Sequence, residues 1–212
     1  MKISIITVCY NAEKTIRRTM DSVLKLNFDA SMEIEHIIVD GASKDFTYDI
    51  VKEYEHTYAE KGIAYVHQSE PDDSLYDAMN KGAKLATGEY LIYMNADDEF
   101  ASQESIFAIP WNELKENDVI YGDTIICDKN GESIRKSLPV ETITKHLPFI
   151  PQSAFIRSTV QREFLFDDQY KITADYDSFL RMYLAGKKFC KINQTISKFY
   201  WGGIEPGWLE NL

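Results

Sequence analysis

The first hundred residues alternate between short apolar runs rich in β-branched residues and longer stretches with apolar positions at helical spacing. Short runs of this kind predict buried strands, and a 3.6-residue spacing predicts amphipathic helices. The predicted strands are 3–9, 33–40, 63–67 and 89–94, and the predicted helices are 13–26, 44–58 and 75–86, with Asn11 and Ser43 as N-caps of the first two. This alternation indicates an α/β fold with parallel strands and right-handed crossovers.

The pattern changes after residue 98, where strands and helices no longer alternate regularly. The Asn130-Gly131 pair between two strand-like runs predicts a hairpin. Gly186 predicts the end of a helix. The predicted helices of this half are 102–115 and 174–185, and its predicted strands are 119–127, 133–136, 154–156, 189–192 and 196–201. We predict a mostly parallel central sheet flanked by helices, with a small mixed second sheet.

The composition is that of a folded, acidic domain. The chain has 212 residues, of which 44% are apolar and 27% charged, and its formal net charge is −11. The sequence contains no Lys/Arg cluster, which argues against nucleic acid as a partner because nucleic-acid-binding proteins carry a basic face. An acidic protein that handles a phosphorylated substrate needs a cation to screen its site.

Cysteines and apolar segments indicate the compartment. Cys9, Cys127 and Cys190 are far apart and form no CxxC pair, so a reducing compartment is expected. The first eight residues lack a signal-peptide cleavage site and are predicted as a strand. No apolar run approaches the roughly 20 residues that span a bilayer. We expect a cytoplasmic protein, at most associated with the inner face of the plasma membrane.

Polar residues follow three of the predicted strands where each ends. The segments are 9–11, 40–43 and 95–98. Ligands of open α/β sheets bind beyond these carboxyl ends. The adjacent carboxylates of Asp97 and Asp98 supply hard oxygen ligands, which suit Mg²⁺ or Mn²⁺ better than zinc. The alternative is that one of them caps a following helix.

Two further segments place carboxylates beside a helix. One is the acidic loop 69–74, which leads into the helix that contains Gly82. The other is the first turn of helix 174–185, where the helix dipole is expected to keep Asp175 ionised. The alternatives are a solvated loop with a tight packing contact at Gly82, and an ordinary capped helix at Asp175.

The order of these motifs resembles that of the family-2 glycosyltransferases of the GT-A fold, over about residues 3–203. The chain is most similar to the colanic-acid-type members, which build bacterial surface polysaccharides. The matching segments, in chain order, are SIITVCYNA (4–12), VDGASKD (39–45), EPDDSLYDAMNKG (70–82), NADD (95–98), Asp175 and WGGI (201–204).

The resemblance implies an inverting enzyme that moves a sugar from a nucleoside-diphosphate donor, a UDP-sugar, to a hydroxyl of a glycan or lipid-linked sugar acceptor. It implies one domain over 1–212, in which 1–98 bind the nucleotide sugar and 99–212 face the acceptor. Asp98 and Asp97 would bind Mg²⁺ or Mn²⁺, and Asp175 would be the general base. The implied nucleotide-sugar-binding residues are Val8, Tyr10, Asn11, Asp40, Asp72, Asn80 and Asp97.

Three positions depart from the family's pattern. Many relatives have a second acid after Asp40 that reads uracil, and here that position is Gly41. Asp73-Ser74 replaces a Lys-Gly pair near the expected diphosphate, and Pro151 replaces a His before Gln152. A hydrogen bond to a charged group contributes roughly 1.5–3 kcal/mol. The loss of the second acid therefore predicts a weaker preference for uridine over other nucleosides.

Two other functions stay open on the sequence. A sugar-phosphate nucleotidyltransferase also uses a nucleotide-binding α/β sheet, although it would have a Gly-rich basic loop where Asn11-Ala12-Glu13-Lys14 stands. A catalytically silent nucleotide-sugar-binding protein would keep the fold and lose the acid pair or Asp175, all of which are present. A dehydrogenase would need GxGxxG after its first strand, and the sequence has none.

Overall fold

One sheet runs through the described part of the chain. The computed structural model describes residues 1–201, and within them nine strands are joined by hydrogen bonds. The strands are β1 (Lys2–Cys9), β2 (Glu33–Asp40), β3 (Ala64–Ser69), β4 (Tyr90–Tyr93), β5 (Glu99–Phe100), β6 (Val119–Asp128), β7 (Gly131–Arg135), β8 (Ala154–Arg157) and β9 (Phe189–Tyr200). The helices are α1 (Ile16–Leu24), α2 (Thr47–Glu53), α3 (Glu55–Lys61), α4 (Leu75–Leu85), α5 (Trp111–Leu114), α6 (Ser158–Glu163) and α7 (Ala174–Leu184). Within this range, no helix combines the length and the apolarity needed to cross a membrane.

The strand order is β3-β2-β1-β4-β8-β6-β9-β5, with β7 paired to β6. The first four of these are parallel, which confirms the predicted α/β class. β8 lies antiparallel to both β4 and β6. The mixed strands, predicted as a small second sheet, therefore continue the central sheet through β8.

The parallel register brings the carboxyl ends of β1, β2 and β3 to one edge of the sheet. Cys9 pairs with Asp40, and Asp40 pairs with Ser69. Each of these residues is the last of its strand, so the loops that follow begin side by side. This edge is where ligands bind in open α/β sheets.

Apolar residues cover both faces of the sheet. Ile3 and Ile5 of β1 pack with residues of α1, α2 and α3, whereas Ile6 and Val8 pack with residues of α4, α6 and α7. Successive strand residues point to opposite faces. Burial on both faces explains why the parallel strands are near-continuous apolar runs in the sequence.

Two predicted N-caps are wrong. Asn11 has a positive φ of 51°, and its side-chain oxygen accepts a hydrogen bond from Lys44 N (2.9 Å) instead of one from α1. The Ser43 hydroxyl donates to Asp40, and α2 begins four residues later at Thr47. Both side chains bond within the loops after β1 and β2, as short polar residues do outside helices.

Predictions for the second half are confirmed in part. Of the helix predicted over 102–115, only Trp111–Leu114 is helical, because Pro110 has no N–H to continue the backbone pattern. The strands predicted at 189–192 and 196–201 form one strand, β9. The hairpin and the end of α7 at Gly186, which has a φ of 76°, are confirmed.

Gly82 lets α4 lie directly against the sheet. A β-carbon at this position would overlap Ile6 Cγ2 and would lie 3.6 Å from Val39 Cγ2. Both neighbours are fully buried, so neither has room to move. The packing role that the sequence left open for Gly82 is confirmed.

We predict that Gly82→Ala lowers the free energy of unfolding by about 1–2 kcal/mol. Overpacking destabilises cores by about 1–3 kcal/mol, and the overlap with the buried Ile6 places this substitution in the upper part of that range, at about 2–3 kcal/mol. The better helix propensity of Ala recovers about 1 kcal/mol of this. Urea unfolding measures the difference. Lys84→Ala on the exposed face of the same helix is the control, and it should change stability by less than about 0.5 kcal/mol. Unchanged stability of Gly82→Ala would contradict the tight contact.

Candidate active site

Asp40 ties together the ends of the first three strands. Its side chain is fully buried and accepts hydrogen bonds from Ser43 N (3.0 Å), the Ser43 hydroxyl, the Ser69 hydroxyl (2.5 Å) and the Cys9 thiol (3.7 Å). A carboxylate offers about four acceptor positions, so these donors use its capacity. The geometry therefore gives Asp40 a role in fixing the loops and leaves it no open oxygen for a nucleotide.

A cleft of about 310 Å³ opens where the loops after β1, β2 and β3 meet, and its lining residues are Tyr10, Gly41, Ala42, Lys44, Pro71 and Asp72. Asn11 supports the cleft wall, since its N–H donates to Ser43 Oγ (2.8 Å). Val8 is only 4% exposed and lies in the core. Of the residues predicted to bind the nucleotide sugar, Tyr10 and Asp72 thus line the cleft.

An ion pair orients Asp72. Lys81 Nζ lies 2.6 Å from Asp72 Oδ1 and 3.0 Å from Asp77 Oδ2, and it donates to the Pro71 carbonyl (2.9 Å). Burial raises the pKa of Asp72, and the bond to Lys81 offsets only part of that rise. Burial lowers the pKa of Lys81, but its bonds to the two carboxylates raise it by more. The ammonium therefore stays charged and holds one oxygen of Asp72.

Asn80, which was also predicted to bind the nucleotide sugar, braces two parts of the protein. Its amide donates to the Phe166 carbonyl (2.9 Å) and accepts from Phe166 N (3.0 Å). Both polar ends of the side chain are thus bonded to one residue far away in the chain. This geometry does not support a nucleotide contact by Asn80.

Asp97 and Asp98 lie in a loop that α1 and β9 hold in place. Arg18 donates to the Asp97 carbonyl (3.1 Å), and the Thr19 hydroxyl donates to the Asp98 carbonyl (2.7 Å). The Tyr200 N–H donates to Asp98 Oδ1 (3.0 Å). The residues that follow form strand β5, so the alternative that this pair caps a helix is wrong.

The Asp98 carboxylate is buried without its full set of partners. The residue is 1% exposed, and no hydrogen bond within residues 1–201 reaches Oδ2. Burial and then the charge of Asp97 raise the pKa of Asp98 well above its usual value. Gln152 lies beside this carboxyl group, and its Oε1 is a second buried acceptor without a donor in the same range.

These oxygens fit a hard divalent cation. A buried acceptor without a donor is rare in folded proteins. A bound cation would give the Asp98 carboxylate the positively charged partner that it does not have among the described residues. Carboxylate and amide oxygens are the ligands that Mg²⁺ and Mn²⁺ prefer. Within the described residues, no three His, Cys, Asp or Glu side chains come together as a metal site.

Asp175 lies at the start of α7 in a largely buried position. Its Oδ1 accepts hydrogen bonds from Tyr176 N (2.8 Å) and the Tyr76 hydroxyl (3.3 Å). Burial raises its pKa, and these bonds offset the rise only in part. The sequence argument considered the helix dipole alone, whereas burial is the largest influence on the pKa of Asp175 in the structure. Asp177 bonds to Arg181 (2.7 Å).

Residues that the sequence did not single out complete the surroundings. The Tyr76 hydroxyl shares its one hydrogen between the Ile172 carbonyl (2.8 Å) and Asp175, so Tyr76 joins α4 to the segment before α7. Tyr200 is 102 residues from its partner Asp98, and no local pattern reveals such a pair. In the sequence, the only indication that Gln152 belongs to the site was that Pro151 replaces a His directly before it. Residues 202–204 of the WGGI motif lie outside the described residues.

We predict that Asp175→Asn becomes more stable relative to the wild type as the pH rises. The raised pKa in the folded state means that Asp175 stabilises the fold at low pH and loses that contribution as the pH rises through the folded pKa. Asn removes the ionisable group and still accepts both hydrogen bonds. The difference in unfolding free energy should therefore grow above about pH 4, the unfolded pKa of Asp. Urea unfolding between pH 4 and pH 7 measures it.

Asp177→Asn is the matched control, since it removes a carboxylate from the same helical turn but breaks the bond to Arg181. Its stability should fall slightly at pH 7, by about 0.3–0.5 kcal/mol. A pH-independent difference for Asp175→Asn would contradict the raised pKa.

The family model for glycosyl transferase family 2 matches residues 4–184. The match covers most of the chain, from β1 through α7. The chain belongs to glycosyl transferase family 2.

Relatives and solved structures agree with this assignment. The PGL/p-HBAD biosynthesis glycosyltransferase of Mycobacterium bovis is 31% identical over 129 residues, which is 60% of this chain and 48% of that protein. This chain thus spans about half the length of that curated relative. The fold is similar to that of S. aureus TarS 1–349 in complex with UDP-GlcNAc, with a TM-score of 0.77 and 20% identity over 97% of this chain and 60% of that one.

A second solved structure of this fold is the mannosyltransferase PcManGT from Pyrobaculum calidifontis in complex with GDP-Man and Mn²⁺. Its TM-score is 0.68, with 16% identity over 93% of this chain and 56% of that one. At such identities the likeness concerns the fold, and the predicted GT-A fold is confirmed. Because one neighbour holds a uridine and the other a guanosine nucleotide, the fold alone leaves the base of the donor open.

Proposed function

We propose that this chain is an inverting, metal-dependent glycosyltransferase that moves a sugar from a UDP-sugar to a hydroxyl of a surface polysaccharide or related glycan. The observation that carries the proposal is the buried Asp98 Oδ2, which has no hydrogen-bond partner among the described residues. Asp98 follows β4, which pairs parallel with β1, so its loop leaves the sheet at the same edge as the loop after β1. Membership of glycosyl transferase family 2 supports the same activity.

The two halves of the chain divide the task in this proposal. Residues 1–98 bind the nucleotide sugar, with Tyr10 and Asp72 in the cleft that receives the nucleoside. Residues 99–212 face the acceptor, a glycan or a lipid-linked sugar, and contribute Asp175. Within residues 1–201 the two halves share one sheet, so the proposed donor and acceptor sites would belong to one rigid framework.

Asp98 and Asp97 hold the divalent cation, Mg²⁺ or Mn²⁺. When bound, the cation offsets the charge that develops on the leaving diphosphate. Two like unit charges 4 Å apart repel by about 4 kcal/mol at an effective dielectric near 20, so these carboxylates alone would oppose binding of a diphosphate. The Mn²⁺ in the mannosyltransferase neighbour supports this role.

Asp175 takes the proton of the acceptor hydroxyl while the acceptor oxygen bonds to the anomeric carbon. The bond from that carbon to the diphosphate oxygen breaks on the opposite face, and its electron pair leaves with UDP. This single displacement inverts the anomeric configuration. The bonds from Tyr176 N and Tyr76 orient the carboxylate, and its raised pKa makes it a stronger base than an exposed Asp.

Two alternatives give different products. A silent nucleotide-sugar-binding protein binds the donor and releases nothing. A nucleotidyltransferase consumes a nucleoside triphosphate and a sugar phosphate, and it releases pyrophosphate. Release of UDP together with a glycosylated acceptor therefore distinguishes the proposed reaction from both.

We predict that donor binding requires the cation. UDP with Mn²⁺ should raise the melting temperature of the wild type by mass action, and UDP with EDTA should not. Asp98→Asn should behave as the wild type does in EDTA, because it removes the charge that holds the cation. Thermal-shift measurements on both proteins provide the test.

Glu99→Gln is the control for this measurement. It removes the adjacent carboxylate, which accepts a hydrogen bond from Tyr200 OH (2.8 Å), and it should bind UDP with Mn²⁺ as the wild type does. Equal UDP binding with and without divalent cation would exclude the metal-dependent role of Asp97 and Asp98.

We predict that Asp175→Asn slows sugar transfer by about 10²–10⁴-fold, the usual contribution of a positioned general base. UDP binding with Mn²⁺ should be unchanged, because Asp175 faces the acceptor. Asp177→Asn should transfer at a near-normal rate. The rate of UDP release in the presence of acceptor and the affinity for UDP are measured on the same preparations. Near-normal transfer by Asp175→Asn would remove it as the base, and lost UDP binding would place it in the donor site.

A further inference from the structure

Gly41 leaves a space in the cleft that a side chain from another loop fills. A β-carbon built at Gly41 would lie 2.9 Å from Asp72 Oδ2 and 3.4 Å from Tyr10 Cδ2. The first distance is shorter than carbon and oxygen atoms tolerate, so a side chain at position 41 and the present position of Asp72 exclude each other. Asp72 comes from the loop after β3, whereas Gly41 follows β2.

Lys81 fixes the direction of the Asp72 carboxylate. It holds Oδ1 at 2.6 Å, and its contacts to Asp77 and the Pro71 carbonyl fix the ammonium in turn. The Asp72 side chain is 6% exposed, so it has little freedom to turn away. Oδ2 is left on the side of Gly41 and Tyr10, both of which line the cleft.

Asp40 has no oxygen left to accept a hydrogen bond from a ligand in the cleft. Its oxygens already accept hydrogen bonds from Ser43, Ser69 and Cys9. Among the acids at the ends of β2 and β3, Asp72 is therefore the one whose carboxylate lines the cleft.

We propose that Asp72 Oδ2 determines the base specificity of the donor site by accepting a hydrogen bond from the ring N–H of uracil. The proposal rests on the proposed nucleotide-sugar binding and names the residue that selects the nucleoside. Uracil presents a donor at ring position 3, whereas cytosine presents a lone pair there, which the carboxylate repels. The sequence predicts a weaker preference for uridine because Gly41 offers no side-chain acceptor. This proposal predicts a strict preference instead, because Asp72, from the loop after β3, supplies the acceptor.

Binding of UDP and CDP, each with Mn²⁺, tests the proposal by calorimetry. The wild type should bind UDP at least about tenfold more tightly than CDP, a difference of about 1.4 kcal/mol. Asp72→Ala should reduce this ratio to about twofold or less. Asp73→Ala removes an exposed acid from the same loop, and it should keep the wild-type ratio.

Asp72→Asn gives a result that a loss of folding cannot imitate. The Lys81 ammonium can only donate hydrogen bonds, so it would bind the amide oxygen of Asn. The NH₂ group would then take the place of Oδ2. This variant should bind CDP at least as tightly as UDP, because a donor now faces ring position 3.

Gly41→Ala tests the geometry independently. Its β-carbon should displace the Asp72 carboxylate and lower the UDP/CDP ratio in the wild type, but it should leave the ratio unchanged when Asp72 is already Ala. If Asp72 contributed only to the structure, Gly41→Ala would change the UDP/CDP ratio by the same factor in the wild type and in Asp72→Ala.

The outcomes separate this inference from the proposed function. If neither nucleotide binds the wild type in the presence of Mn²⁺, the proposed function fails. If both bind equally well, or if Asp72→Ala keeps the preference for UDP, donor binding stands and the role of Asp72 is overturned.

Discussion

The burial of the Asp98 carboxylate is the constraint on which the site depends. Removing a charge from water is unfavourable by several kcal/mol unless partners compensate. The Tyr200 N–H donates to Asp98 Oδ1, but Oδ2 has no hydrogen-bond partner within the described residues. Helix α1 and strand β9 hold the loop in this unfavourable position through Arg18, Thr19 and Tyr200. The rest of the protein therefore holds a buried carboxylate in a position that the proposed cation would compensate.

Contacts between neighbouring loops also shape the cleft that we propose for the nucleoside. The parallel register aligns the last residues of β1, β2 and β3, and Asp40 fastens the three loops with hydrogen bonds that leave it no free oxygen. The cleft therefore takes its carboxylate from Asp72, whose position requires Gly41.

The sequence predicted the α/β fold because the strand and helix patterns that define it are local. Strand β2 is predicted at its observed bounds, and the polar residues at the strand ends meet as parallel pairing requires. The exceptions depend on contacts between distant residues. Asn80 was predicted to bind the nucleotide, but it bonds to Phe166, 86 residues away. The pKa of Asp175 likewise depends on burial by elements other than its own helix, which a local pattern does not show.

Anomalous diffraction at the manganese edge, from crystals of this chain grown with UDP and Mn²⁺, tests the central claim most directly. The account predicts an Mn²⁺ peak in contact with Asp98 Oδ2 and with the diphosphate, with the uracil in the cleft lined by Tyr10 and Asp72. Bound UDP with no Mn²⁺ at the Asp98 carboxylate would contradict it.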